Sequence, residues 1–130
     1  MGRWMEAIDK KGTVVCEMSP VFIIHLSKSI PKSIRHEYPL LVSLDLLAPE
    51  WVDEEQIYSP KKCAALIKEI ETFRSIINRE TFIPGIDASK ILHYWTSNTY
   101  QLSDINQNMN EIITFLQKSI FENLTTRICL

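Results

Sequence analysis

Two hydrophobic periods divide the chain near Trp51. Ahead of it, short apolar runs are spaced as strands; beyond it, apolar residues recur every third or fourth position. In the stretch 3–9, RWMEAID, Trp4, Glu6 and Ile8 fall on one side and Met5 and Ala7 on the other. DKKG follows, with Gly12 free to take a positive φ, and TVVCEM reads as the returning strand. The pattern predicts a hairpin whose turn is longer than two residues. After Ser19-Pro20, VFIIHLSKSI reads as a third strand. PKSIRHEYP, bounded by Pro31 and Pro39, is either one helical turn or an irregular crossover. LLVSLDLL reads as a fourth strand, with Val42, Leu44 and Leu46 facing one way and Leu41, Ser43, Asp45 and Leu47 the other.

The helical half is plainer. Ser59 suits an N-cap and Pro60 the first helical position. Cys63, Leu66, Ile67, Ile70, Phe73, Ile76 and Ile77 then form one stripe, with Lys61, Lys68, Glu69, Glu71 and Arg74 around the rest. Burying such a stripe is worth about 1.5–3 kcal/mol per large side chain before entropy is subtracted, so it must dock on a sheet. TFIPGID is a loop around Pro84-Gly85. Asp87 or Ser89 caps a shorter helix, SKILHYWTSNTY, and Ser103-Asp104 opens a last long one. Its stripe is Ile105, Met109, Ile112, Ile113, Leu116, Ile120 and Leu124, widened by Phe115 and Phe121. The expectation is a single α+β domain over 1–130. A mostly antiparallel N-terminal sheet of about four strands would carry two long helices and one shorter helix on one face.

Composition narrows the field. The 130 residues are 45% apolar and 23% charged, an ordinary globular balance, with net charge −2. That charge argues against a general, direct nucleic-acid binder and leaves room only for a local basic patch. Cys16, Cys63 and Cys129 are an odd, dispersed set, unlike a disulfide framework. Apolar runs are short, such as Val21 to Ile24, so neither a signal peptide nor a membrane span is expected, and a reducing cytoplasm is the natural compartment.

Reactive chemistry finds little foothold. His25, His36 and His93 lie far apart and far from any cysteine, so no zinc spacing can be written and no metal or cofactor is expected. There is no GxSxG elbow, and Gly2, Gly12 and Gly85 are too isolated for a phosphate-binding loop. Cys63 falls on the buried stripe. Cys16 has Glu17 beside it, a charge that would raise a thiol pKa. His36-Glu37 is an acid–base pair by type alone. The expectation is a protein without catalytic residues. The rival is a small enzyme or ligand sensor with a pocket between sheet and helices that uses one of the three histidines.

Two features suggest contact surfaces. Glu50, Asp53, Glu54 and Glu55 crowd around Trp51 ahead of a helix. The dipole of that helix, worth about 0.3–1 kcal/mol per acid, reaches only its first turn and does not call for Glu50 or Asp53. A basic partner surface would relieve the repulsion and cover the indole. HYWTSNTY supplies Tyr94, Trp95 and Tyr100 as a second contact set. Phe115 and Phe121 on the last helix suggest a third possibility, a self-associating adaptor with a two-fold interface.

The opening GRWMEAIDKKG hairpin, the acidic-aromatic PEWVDEEQIYSP and a helical second half without catalytic motifs together resemble the small immunity proteins encoded beside bacterial contact-dependent and other polymorphic toxins. The resemblance implies a cytoplasmic protein that binds a toxin domain, one with a basic surface, and occludes its active site. It carries no residue roles with it.

Overall fold

The computed structural model describes residues 4–44 and 55–129. In chain order the elements are β1 (Trp4–Ile8), β2 (Val14–Met18), α1 (Val21–Lys28), a 3-10 helix (Lys32–Glu37), α2 (Pro39–Val42), β3 (Glu55–Tyr58), α3 (Pro60–Ile77), α4 (Ala88–Ser97), α5 (Leu102–Phe121) and β4 (Thr125–Cys129). The four strands form one antiparallel sheet in the order β2-β1-β4-β3, so the fold is α+β.

The predicted hairpin is present. Asp9 shapes its turn: its Oδ1 accepts from the backbone N–H groups of Lys11 and Thr13, both at 2.9 Å, while Gly12 takes φ 82°. Pairing then runs from Met5 opposite Met18 to Ile8 opposite Val14, with a register shift between Ala7 and Ile8. Beside β1 on its other edge lies β4, where Glu6 pairs with Arg127 and Ala7 with Thr126.

The other two strands come from different segments than the sequence pattern suggests. VFIIHLSKSI is helical from Val21 to Lys28, and its buried residues Phe22, Ile23 and Leu26 sit at helix spacing. LLVSLDLL is not a strand at its start: Pro39–Val42 is a short helix, and the residues from Asp45 on lie outside the described ones. Through this region Ile34, Tyr38, Leu41 and Leu44 are buried at steps of three and four, which only a helical path brings to one side. Glu69 fixes the path. Its carboxylate accepts from the N–H groups of Leu40 and Leu41 at 3.0–3.2 Å, meeting the otherwise orphaned donors of α2. The true third strand is the end of the acidic stretch, Glu55–Tyr58. The fourth is TTRIC near the C-terminus, directly after the helical register of α5. That helix stops at Phe121, where Asn123 takes φ 53° and the Leu124 N–H reaches back to the Ser119 carbonyl at 2.8 Å.

The sheet's inner face carries Met5, Ala7, Tyr58, Thr126 and Ile128, all buried. The helices cover this face. α3 and α5 lie against each other, joined by a reciprocal amide pair between Asn78 and Asn106 at 2.9 and 3.0 Å. The α3 stripe is buried as expected except for a half-buried Ile67, and Ser59 caps the helix by accepting from the Lys62 N–H. In α5 the first turn is closed by Gln101 and Asp104, slightly upstream of the expected Ser103. Between α3, β4 and α5 a buried polar chain is satisfied internally: the Cys63 thiol donates to Thr126 Oγ1 and that hydroxyl donates to Ser119 Oγ at 2.9 Å. The outer face is open. Its Arg127 pairs with Glu6 at 2.6 Å and lies over the Trp4 ring, while Ile57 is largely exposed. Among the described residues no helix is long and apolar enough to cross a membrane.

Candidate functional site

Of the acidic contact set, Glu50, Trp51, Asp53 and Glu54 lie outside the described residues, and Glu55 opens β3 opposite Cys129. The aromatic set is described in full. Asp87, not Ser89, caps α4, accepting from the Ser89 N–H at 2.9 Å. The helix then turns Ile91 and Trp95, four residues apart, into the core. Trp95 has no exposed surface, so it serves as core and offers no contact area, contrary to its expected role. It stacks on Phe22 of α1 at 5.0 Å between centroids and meets Tyr100 edge-on at 5.3 Å. Tyr94 and Tyr100 are half-buried beside it.

What returns Tyr100 to this cluster is a strained turn. Thr99 takes φ 68°, a left-handed conformation that is costly for a β-branched residue. The Tyr100 N–H then bonds the Trp95 carbonyl at 2.9 Å, closing the helix end. His25 completes the group. Its Nδ1 lies 3.0 Å from the Tyr94 hydroxyl, and its ring packs against Tyr94, Trp95 and Tyr100.

The structure does not bring the three histidines together. His36 and His93 are exposed, and no histidine pairs with a carboxylate among the described residues. No group of three His, Cys, Asp or Glu among those residues is placed to hold a metal ion. Burial holds the Cys63 thiol pKa up, partly countered by its hydrogen bond to Thr126. Cys16 is also raised, by burial first; Lys118 opposes the shift, and the carboxylate that adds to it is Glu122 at the end of α5. Glu17, the expected cause, points to the other side of the strand from Cys16.

Burial, helped by Lys28, lowers the His25 pKa below its ordinary 6.5. The unfolded chain therefore takes up a proton that the folded protein refuses. Stability falls as pH drops through 6.5 toward the lower folded pKa and levels off below that. Thermal melts from pH 8 to 5 are expected to show a steeper acid decline in the wild type than in His25→Asn. Parallel curves would remove His25 as a source of the slope.

The most distinctive surface belongs to the segment between α3 and α4, which the sequence pattern marks only as a loop. Arg79 leaves α3 with φ 60°, and the N–H groups of Glu80 and Thr81 both fold back to the Ser75 carbonyl. Pro84 and Gly85 (φ 85°) then make a turn closed by the Ile86 N–H on the Ile83 carbonyl at 3.1 Å. Held at both ends, the loop carries Phe82 outward with 84% of its surface exposed. A cavity of about 440 Å3 lies beside that ring, with Ile76, Ile83 and Ile86 in its wall. Ile83 also borders a cleft of about 500 Å3 against Tyr38, Pro39 and Glu69. Ile86 borders a third, about 400 Å3, that continues to Tyr94 and three lysines. The Phe82 loop and Tyr94 of α4 therefore share one continuous face. The signal for it in the sequence is the composition of TFIPGID, three large apolar residues in a segment punctuated by Pro-Gly, where a plain connector would be polar.

This arrangement offers apolar recesses, a projecting ring and nearby cations. Comparison with protein-family models, with curated proteins and with solved structures finds no match to this chain.

Proposed function

We propose that the protein acts by binding another protein through the face formed by the 81–87 loop and α4, in the manner of an immunity protein that occludes a bacterial toxin in the cytoplasm. The observation that carries this reading is Phe82. Burying such a ring on folding would be worth roughly 1.5–3 kcal/mol, yet it stands 84% exposed. Single surface apolar residues are common and need no explanation. Phe121, 88% exposed at the end of α5 beside the Lys118–Glu122 pair, is of that kind. Phe82 differs because it shares the wall of one recess with Ile76, Ile83 and Ile86, and its neighbour Ile83 borders a second. An aromatic anchor beside an apolar cleft is how binding energy concentrates in protein interfaces.

Self-association through α5 has less support. Phe115, expected on an outer apolar face, is in the core at 8% exposure, which leaves Phe121 alone there. A role for the acidic run from Glu50 to Glu55 as a second contact with a basic partner rests on its sequence, where four carboxylates surround Trp51.

The test is a titration against the protein encoded by the adjacent gene. Its toxic enzymatic activity is expected to fall in proportion to added protein and reach zero at equimolar amounts, with a 1:1 complex by light scattering. Full activity at tenfold excess, with no complex at micromolar concentration, would overturn the immunity reading.

A further inference from the structure

We propose that the cleft between the end of α1, the 3-10 helix and the start of α4 is a binding site for a small molecule carrying a phosphate group on an apolar body. This goes beyond the protein-binding reading and does not depend on it.

Three elements each contribute one lysine to the same cleft: Lys28 from the last turn of α1, Lys32 from the start of the 3-10 helix, and Lys90 from the first turn of α4. None of these ammonium groups pairs with a carboxylate among the described residues. The sole acid among the described residues of the cleft wall is Asp87, whose Oδ1 is committed to capping α4. Three cations less one carboxylate leave about two positive charges facing a single recess, in a chain whose net charge is −2. Charge of one sign gathered against the trend of the whole surface calls for an anion of matching valence. A phosphate monoester, about −1.5 to −2 at neutral pH, meets that better than a single carboxylate.

The remaining walls say what the anion is attached to. Ile86 presents apolar surface, the nearly buried Ile30 and Ile91 back the wall, and Tyr94 lines it with its hydroxyl on His25. A volume of about 400 Å3 lies within the range that holds small ligands and is larger than free phosphate needs. Lysines act here as point charges on long stems, so recognition is electrostatic and sensitive to salt. Exposed pairs of this kind change affinity by roughly two- to threefold each, or about tenfold for the three together.

Amide and side-chain NMR of the whole protein, titrated with phenyl phosphate and separately with inorganic phosphate at constant ionic strength, tests the assignment. The expected result is a saturable shift confined to residues 28–33, 85–87 and 90–94, with phenyl phosphate binding at least about fivefold more tightly than inorganic phosphate. The triple variant Lys28→Gln, Lys32→Gln, Lys90→Gln should weaken binding about tenfold. A control on the hairpin turn, Lys10→Gln with Lys11→Gln, should leave it within twofold. All five side chains are exposed, so melting temperatures should stay close to wild type. Unsaturating shifts spread over every surface lysine would overturn the proposal. So would equal weakening by the control pair, or equal affinity for the two probes. Partner binding that persists beside any of these failures would leave the proposed function standing and remove only the ligand site.

Discussion

Trp95→Ala is expected to destabilise the protein by about 3–5 kcal/mol, a large share of what holds a domain of this size folded. The indole is fully buried where α1, α4 and the Tyr100 turn meet, stacked on Phe22 and edge-on to Tyr100. Deleting it removes apolar burial and leaves a void between two short helices. Trp95→Phe should behave differently. The indole Nε1–H is buried with no hydrogen-bond acceptor, a group whose desolvation costs about 1–3 kcal/mol. Phenylalanine discards that penalty while keeping most of the ring, so the loss should stay under about 1.5 kcal/mol. Urea unfolding followed by far-UV circular dichroism measures both, because Trp4 and Trp51 complicate a fluorescence readout. A Trp95→Ala protein as stable as Trp95→Phe would contradict the packing of α4 on α1 through this ring.

The fold class is legible in the sequence, along with both long helices, which have an unambiguous period, and the hairpin, which is marked by its DKKG turn more than by its weakly alternating strands. In α3 the stripe runs through about four turns after a Ser-Pro start, and no strand could place those residues together. Short apolar runs carry no such information. VFII fits a strand as readily as the first turns of a buried helix, and the deciding fact is tertiary: Phe22, Ile23 and Leu26 are wanted on one side. TTRIC is hidden for a different reason. A five-residue strand beside a long amphipathic helix reads as that helix's last turn unless the left-handed residue at Asn123 is recognised as its stop. Its position in the middle of the sheet depends on pairing with β3 across about 70 residues and with β1 across about 120, which local pattern does not encode.

The candidate site is legible in part. HYWTSNTY stands out for its aromatics, but spacing alone does not reveal that Trp95 faces inward while Tyr94 and Tyr100 sit at the rim. Nothing local to His25 points to its partner Tyr94, which lies 69 residues away. The Phe82 loop reads as a connector because Pro-Gly marks a turn. Whether a turn presents or hides its apolar residues is settled by the helices it joins.

Phe82 carries the second large expectation. Phe82→Ala should weaken binding of the partner by about 2 kcal/mol or more, roughly thirtyfold, since a projecting aromatic beside an apolar recess is placed to act as an anchor. It should leave stability within about 0.5 kcal/mol, because an exposed side chain contributes little to the folded state. Phe121→Ala removes an equally exposed ring that lies at the far end of α5, outside the proposed face, and should change neither quantity. The most direct measurement is therefore the partner dissociation constant by calorimetry for wild type, Phe82→Ala, Phe121→Ala and the charge reversal of Asp53, Glu54 and Glu55 to lysine, with a melting curve for each. The account predicts a thirtyfold or greater loss for Phe82→Ala at unchanged melting temperature, and wild-type affinity for Phe121→Ala. Wild-type affinity for Phe82→Ala, with binding abolished by the charge reversal alone, would contradict it.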